Sequence, residues 1–353
     1  MQERAMNQSE IAEKVGLSQT AVSLVLNNPQ TTKVSSAKKQ LIREYLQKNS
    51  YINQASVRRT WNIGFVLNAF AESTSDFYHR FVEGIEQAAD KTGYSFFLEF
   101  FRDDEPNIIR KNKVDGIICG SAYLAYFERQ KQVPTIPVVL LNTTDLGMKY
   151  DSVMPDNAGS MFYAVEHLVA LGHERIAFLA LLPGENSPFP PGVMANYHER
   201  LHGFKSACEH FKIKFDDENY IQIPRLDKIK NSFEKVNDIL KMWRRLKTPP
   251  SAVVCSNDGY ATYLRECALN MGLNLPGDLS IIGIDNKGHS IPGGTLLSTV
   301  DQNFCGMGRL AVELLVKRIG DPRGLRSKVC CKSTLIVRDS TGPFENEPKR
   351  KQK

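Results

Sequence analysis

The sequence predicts a small all-helical head followed by an α/β body of two doubly wound lobes. Three observations predict it. Residues 7–49 carry three short runs whose apolar positions recur at helical spacing. From Ile63 onward, strand-length apolar runs alternate with longer amphipathic stretches, the pattern of repeated β-α-β units and parallel sheets. A length of 353 residues exceeds one small module and leaves room for two or three domains.

Composition narrows the class. A hydrophobic share of 42% and a charged share of 24% are ordinary for a globular chain. No apolar run approaches the length of a bilayer span. The start, MQERAMNQSE, lacks the basic and apolar regions of a secretion signal. Seven cysteines are scattered without CxxC spacing, and only Cys330 and Cys331 are adjacent. Neither a disulfide framework nor a zinc site is expected from that pattern, so the reading is a soluble, cytoplasmic protein without a membrane partner. The net charge of +6 is uneven. Residues 1–60 hold nine basic against four acidic side chains, and the last ten residues hold four against two. A basic head on a nearly neutral body suits an end that meets phosphate, although an ordinary solvated surface would show the same charge.

In the head, Asn7 is placed to cap a helix, with Glu10 three residues on able to return the bond. Ile11, Ala12 and Val15 form its apolar face, and Gly16 is free to end it at positive φ. Ser18 can cap a second helix bearing Val22, Val25 and Leu26. Two short helices about a tight glycine turn fit helix-turn-helix geometry, whose second helix reads the major groove of DNA with its N-terminal residues. Those residues are Gln19, Thr20 and Ser23, all able to donate or accept hydrogen bonds. A third helix is expected from about Ser35 to Asn49. Its Leu41, Ile42, Tyr45 and Leu46 would close the core, leaving Lys38, Lys39 and Arg43 for phosphates. A generic helical hairpin shares the apolar pattern.

The string MNQSEIAEKVGLSQTAVSLVLN, followed by VSSAKKQLIREYLQKNSYI, is more specific. It resembles the head of the lactose repressor/galactose repressor (LacI/GalR) family at Ile11, Ala12, Gly16, Ser18, Val22, Ser23, Val25, Leu26, Asn27, Val34, Ser35, Tyr51 and Ile52. The resemblance implies operator contacts from Ser18, Gln19, Thr20, Ser23, Leu24, Asn27, Lys38, Lys39, Arg58 and Arg59. The chain also departs from the family. Leu24 stands where an arginine is usual, which exchanges bidentate guanine reading for contact with a thymine methyl. Thr60 stands where a leucine wedges into the minor groove, and it offers little of the apolar bulk such a wedge needs. Arg58 and Arg59 remain able to enter a narrow groove or touch phosphates.

In the body, strand-like runs are Ile63–Leu67, Tyr94–Phe100, Asp115–Cys119, Val138–Leu141, Ile176–Leu181, Ala252–Cys255 and Ser280–Ile284. The helical stretches are Phe77–Thr92, Ser160–Leu171, Glu199–Phe211, Ser232–Leu246, Tyr260–Met271 and Met307–Ile319. Ligands in such folds sit beyond the C-terminal ends of the strands. The family resemblance continues through Val114–Ile118, Asp156-Asn157, Leu171–Phe178, Arg200–Phe204, Ser256–Asp258, Pro276–Asn286, Ser298–Val300 and Arg338–Thr341. It implies an effector domain like the type I periplasmic sugar-binding proteins. The implied organisation is a helix-turn-helix DNA-binding domain over 1–52, a short hinge over 53–61 and a ligand-binding and dimerisation domain over 62–342. The first lobe would take about 62–157 and 288–319, the second about 158–287 and 320–342, with a basic tail over 343–353.

Ligand contacts implied by the resemblance are Phe77, Tyr78, Asn142, Arg200, Asn257 and Asp285. Arg200 offers a fork of donors, and Asp285 accepts from paired hydroxyls. Each has a structural alternative: Asn257 as a helix cap, Arg200 in an ion pair, Phe77 and Tyr78 in the core. Asn142 replaces a usual aspartate with a neutral amide. His167 and His173 read as structural, and His198 with His202 has metal-pair spacing without an evident third ligand. The loop Leu182–Asn196 is rich in proline, and its Phe189 is either a wall over the cleft or plain surface. No GxGxxG, P-loop, GxSxG or paired-carboxylate context occurs, so no enzyme activity, cofactor or metal is expected. The expected partners are double-stranded operator DNA, a sugar-like effector and a second copy of the chain. A free-standing sugar-binding transport protein shares the fold, but it would be exported and lack residues 7–60.

Overall fold

The computed structural model of the chain describes residues 8–27, 33–48, 59–68, 78–102, 105–130, 136–145, 147–180, 182–183, 191–213, 220–222, 225–226, 232–287 and 296–344. The chain divides into two compact units after Thr60.

In the head, α1 (Gln8–Val15), α2 (Gln19–Asn27) and α3 (Ser36–Lys48) close on Ile11, Ala12, Val22, Val25, Val34 and Ile42. Gly16 takes φ +67°, and the Leu17 amide turns back to the Ala12 carbonyl, which ends α1. Ser18 starts α2: its hydroxyl accepts from the Ala21 amide at 3.2 Å and its carbonyl from Val22 at 3.1 Å. Tyr45 and Leu46 pack on the core, but Leu41 is 47% exposed. Adjacent helical residues point about 100° apart, so a stripe centred on Ile42 leaves Leu41 outside. The Asn7 cap and the segment 49–58, with Tyr51, Ile52 and most of the hinge, lie outside the described residues.

The body begins with β1 (Asn62–Asn68), α4 (Tyr78–Thr92), β2 (Ser95–Phe101), α5 (Asn107–Arg110), β3 (Gly116–Cys119), α6 (Ser121–Gln130), β4 (Val138–Leu141) and β5 (Asp151–Pro155). It continues through α7 (Asn157–Ala170), β6 (Ile176–Leu179), β7 (Leu182–Pro183), α8 (Pro191–His210), β8 (Ile221–Gln222), β9 (Arg225–Leu226) and α9 (Ser232–Arg245). The last elements are β10 (Ala252–Cys255), α10 (Asp258–Asn270), β11 (Ser280–Ile284), β12 (Ser298–Asp301), α11 (Phe304–Gly320), β13 (Lys328–Cys331) and β14 (Thr334–Ile336). One six-stranded sheet has the order β13-β5-β4-β3-β1-β2 and is parallel throughout. The other runs β14-β12-β11-β10-β6-β8, parallel except for β14.

The expected lobe segments need correction. Residues 298–301 form β12 in the second sheet, hydrogen-bonded beside β11, rather than joining the first lobe. Residues 328–331 form β13 in the first sheet beside β5, rather than joining the second lobe. The chain therefore changes lobes at Asp156, at Gln302 and at Lys332–Ser333. Short apolar runs such as STV and KVCC fit either sheet locally, and only pairing with a neighbour assigns them. The domain also runs past Gly342: the Phe344 amide bonds to the Leu171 carbonyl at 2.8 Å, and the Arg175 guanidinium lies over the Phe344 ring. Residues 345–353 of the basic tail lie outside the described residues.

Several helices start earlier than periodicity predicts. Helix α8 starts at Pro191 instead of Glu199, because proline suits the first helical turn, where its missing N–H leaves no bond unmade. The proline-rich loop is thus partly helix, and Phe189 lies outside the described residues. Helices α4 and α11 pack closely enough to need glycine. A Cβ on Gly84 would stand 1.9 Å from the Cys305 carbonyl oxygen, and one on Gly308 would stand 2.5 Å from that of Phe81.

Candidate functional site

On the head, Ser18, Gln19 and Thr20 are exposed at the start of α2, while Ser23 and Leu24 are partly buried. Leu24 packs against the head core, so only part of its side chain is open to a base. Ser18, Thr20, Leu24 and Lys38 surround one hollow together with Lys33 and Ser35. The Ser35 carbonyl accepts from the Lys39 amide at 3.0 Å, so Ser35 starts α3. Two helix N-termini and two lysines therefore share one concave surface, chemistry that suits a phosphate. Lys33 and Ser35 were not among the expected contacts; the Val34-Ser35 pair before α3 was their only signal. Lys39 is half-buried, and Arg59 is exposed. The Asn27 side chain and Arg58 lie outside the described residues.

In the body, Arg200 and Asp285 come together. Arg200, on α8 and 6% exposed, donates through Nε to Asn157 Oδ1 at 2.9 Å. One terminal nitrogen donates to the Ser256 carbonyl; the other reaches Gln302 Oε1 at 2.9 Å and Asp285 Oδ1 at 3.5 Å. The fork is thus filled from β10, β11 and two of the lobe crossings. Asp285 follows β11 at φ +107°, a backbone setting that is strained for a residue with a Cβ. Burial pushes its carboxyl above the ordinary range, and Arg200, Lys287 and Arg80 only partly oppose that rise.

Next to it, burial and the Asp285 charge push Asp258 up to about 7. Its oxygens accept from the Thr299 hydroxyl and the Lys287 amide, both at 2.7 Å. Asn157, Gln302 and Asp258 were missed as site residues because no periodicity brings a crossing or a helix start to a cleft.

Other expected contacts resolve differently. Asn257 caps α10, accepting from the Tyr260 amide at 3.0 Å, while its amide nitrogen donates to the Tyr197 hydroxyl at 3.4 Å. Asn142 takes φ +57°, and its carbonyl and Oδ1 both accept from Asn196 Nδ2 at 3.2 Å, a tie from the first lobe to α8 of the second. Tyr78 packs on the first-lobe core beside Phe81, which is the core alternative. Phe77 lies outside the described residues.

His167 bonds Thr341 at 2.9 Å, and His173 bonds Ser251, Ser280 and the Gly342 carbonyl, so both hold structure. His198 and His202 open on a hollow of about 570 Å³ beside Glu199 and Lys328. Among the described residues no group of three or more His, Cys, Asp or Glu is placed to hold a metal ion. Two buried hydroxyls at strand ends, Thr143 after β4 and Ser256 after β10, have no hydrogen-bond partner among the described residues.

A helix-turn-helix head and a two-lobed α/β domain with a buried polar cluster between its strand ends define a ligand-responsive DNA-binding regulator. Residues 165–341 match the family model of the periplasmic binding protein-like domain. The repressor CytR of Escherichia coli is 28% identical over 354 residues, which cover 96% of this chain and 97% of that one. The probable repressor ExuR of Bacillus subtilis is 28% identical over 344 residues, covering 94% and 97%. Among solved structures, a LacI family regulator from Enterococcus faecium with bound ribose aligns at TM-score 0.62 and 24% identity, covering 80% of this chain and 100% of that one. The regulator CelR in complex with cellobiose aligns at 0.61 and 22%, covering 95% and 99%. The chain belongs to the LacI/GalR family of transcription regulators.

Proposed function

We propose that this regulator is a repressor whose grip on operator DNA is set by a small polyhydroxyl molecule, a sugar or sugar derivative, held between the lobes. The observation that carries the reading is the Arg200–Asp285 cluster, buried where strand ends of a doubly wound sheet meet the lobe crossings. Hydroxyls on Thr143 and Ser256 that have no partner among the described residues, one from each lobe, add donors of the kind a polyol satisfies. Ser18, Gln19, Thr20, Ser23, Leu24, Asn27, Lys38, Lys39, Arg58 and Arg59 are assigned to DNA. Arg200 and Asp285 are assigned to the effector directly, with Asn142 and Asn257 shaping its surroundings. The protein acts by binding rather than turnover, and it works in the cytoplasm, where its DNA is. No described helix is long and apolar enough to cross a membrane.

The test is a thermal-shift series with D-ribose, cellobiose, cytidine and D-galacturonate on the wild type and on Asp285→Ala. Binding to the native state must raise the melting temperature. A rise with one compound that disappears in the variant is expected; a rise that persists in Asp285→Ala moves the site elsewhere.

A homodimer completes the reading, since two heads read the halves of a near-palindromic operator. Strand β2 ends its sheet and exposes Phe97, Leu98 and Phe100 at 40–49%. An open strand edge with large apolar side chains suits a second copy. Helix α4 and the exposed Leu269 of α10 are further candidates for that contact. Sedimentation at micromolar concentration is expected to give twice the 39.7 kDa chain mass; a monomer under those conditions would reject the dimer.

A further inference from the structure

Arg80 lies on α4 of the first lobe, yet among the described residues its hydrogen bond and its ion pair both go to the second. One terminal nitrogen donates to the main-chain carbonyl of Asp285, and the other stands 3.6 Å from the Asp301 carboxylate at the end of β12. The guanidinium lies over the ring of Phe304, 4.6 Å from its centre, on the first-lobe helix α11. Phe304 in turn meets Phe81, one residue after Arg80, edge-on at 5.0 Å. Arg80 is therefore clamped on the first-lobe side while holding two second-lobe acceptors.

Those acceptors form one joint. Asp285 and Asn286 both carry positive φ, +107° and +49°. The Asp285 carboxylate faces Arg200, while its carbonyl faces Arg80. The Asn286 amide group donates to Asp301 Oδ2 at 2.8 Å, so both residues that Arg80 touches are coupled through Asn286. A change at the Asp285 carboxylate must turn a strained residue whose carbonyl is tied to α4. Helix α4 packs directly on α11, where a Cβ on Gly84 or Gly308 would meet the other helix's backbone.

We propose that Arg80 is the positioning residue that carries the state of the cleft from Asp285 to helix α4, and thereby sets operator affinity. The proposal rests on the effector-controlled regulator described above. It assigns a role to a residue outside the expected ligand and DNA contacts.

The test uses the full-length chain as wild type, Arg80→Ala and Arg80→Lys, with two readouts. The first is amide exchange over 285–287, whose amides donate to the Val300 carbonyl, Thr299 Oγ1 and Asp258 Oδ2, all within the second lobe. Arg80→Ala is expected to speed exchange there by about tenfold while β11 keeps its protection, since local opening is independent of global unfolding. Arg80→Lys, which keeps one charge but loses the fork, is expected to fall between.

The second readout is affinity for a duplex that the wild type selects from a random-sequence pool. A change of roughly 5-fold or more is expected for Arg80→Ala, the low end of an allosteric coupling. Unchanged exchange at 285–287 overturns the proposal. So does faster exchange spread evenly over the body, which would make Arg80 a folding residue, or local release without a change in DNA affinity. If the wild type selects no duplex, the regulator reading fails separately, and exchange still decides whether Arg80 holds the joint.

Discussion

In the first lobe a buried ion pair ties β5 to the end of α11: Arg318 Nε meets Asp151 Oδ2 at 2.7 Å, and its second nitrogen meets Oδ1 at 3.1 Å. The same guanidinium donates to the carbonyls of Asp321, Gly324 and Leu325, so it also shapes the turn leading to β13. In the second lobe the corresponding work falls to a neutral imidazole. His173 joins Ser251 before β10, Ser280 at the start of β11, and the Gly342 carbonyl near the chain's end. A carbonyl only accepts, so Nε2 carries the proton and Nδ1 accepts from Ser251. Two lobes with one strand plan thus anchor these strands by different means, a charge pair at Asp151–Arg318 and a neutral network at His173, although the second lobe buries the Arg200–Asp285 pair at its cleft. The parallel sheet dictates where such a tie is needed but not its chemistry.

The comparison breaks most visibly at Asp151. Removing one member of a buried pair leaves the other charge without compensation, which costs about 3–5 kcal/mol. Asp151→Ala is therefore expected to lower the stability of the body by that amount in urea titration. A loss below about 1 kcal/mol, the range of surface pairs, would place the Arg318 charge in water instead.

Acid sharpens the contrast with smaller effects. For Asp151, burial alone would raise the carboxyl, but the bonds from Arg318 and the Ser327 amide outweigh it and hold the group below 3.8. Its contribution is present above that value and is lost only as pH falls through the folded value. Burial holds His173 below 6.5, so the unfolded chain binds a proton that the folded chain refuses. Stability from this site therefore falls as pH drops below 6.5. Asp258, raised from 3.8 to about 7, has the opposite sign. The folded chain keeps a proton that the unfolded chain has released, so stability falls as pH rises across that window.

The two groups oppose each other in the wild type as pH falls below 6.5, where the unfolded histidine protonates and Asp258 is still within its window. Urea midpoints over that range should rise more steeply with pH in Asp258→Asn and fall in His173→Gln. Slopes equal to the wild type in both variants would mean that neither group carries the pH response. One proton more or less on the folded chain than on the unfolded one changes stability by about 1.4 kcal/mol for each pH unit, which bounds the slopes.

Much of this was legible in the sequence. Gly16 and Ser18 named the turn of the head, because a positive φ and a side-chain cap are local requirements that few residue types meet. The strands of both lobes stood out as apolar runs, because strands covered on both faces need no polar alternation. Arg200 and Asp285 were singled out through family resemblance, and the fold brings them within 3.5 Å. Leu41, the lobe membership of 298–301 and 328–331, and the start of α8 were not legible. The lobe membership depends on which strand is already in place, whereas Leu41 and the start of α8 turn on helix phase and proline placement, which an apolar count does not weigh.

Local sequence sets the kind of each element, the head with its capped helices and the class of regulator, since periodicity, caps and motif strings are properties of neighbouring residues. Long-range packing assigns β12 and β13 to their sheets, fills the Arg200 fork from Asn157, Ser256, Asp285 and Gln302, and carries Arg80 across the lobes. The Arg200 and Arg80 hydrogen bonds join residues separated by 43 to 205 positions. Their energies exist only once the two sheets and the crossings between them have brought the groups together, which no local pattern encodes.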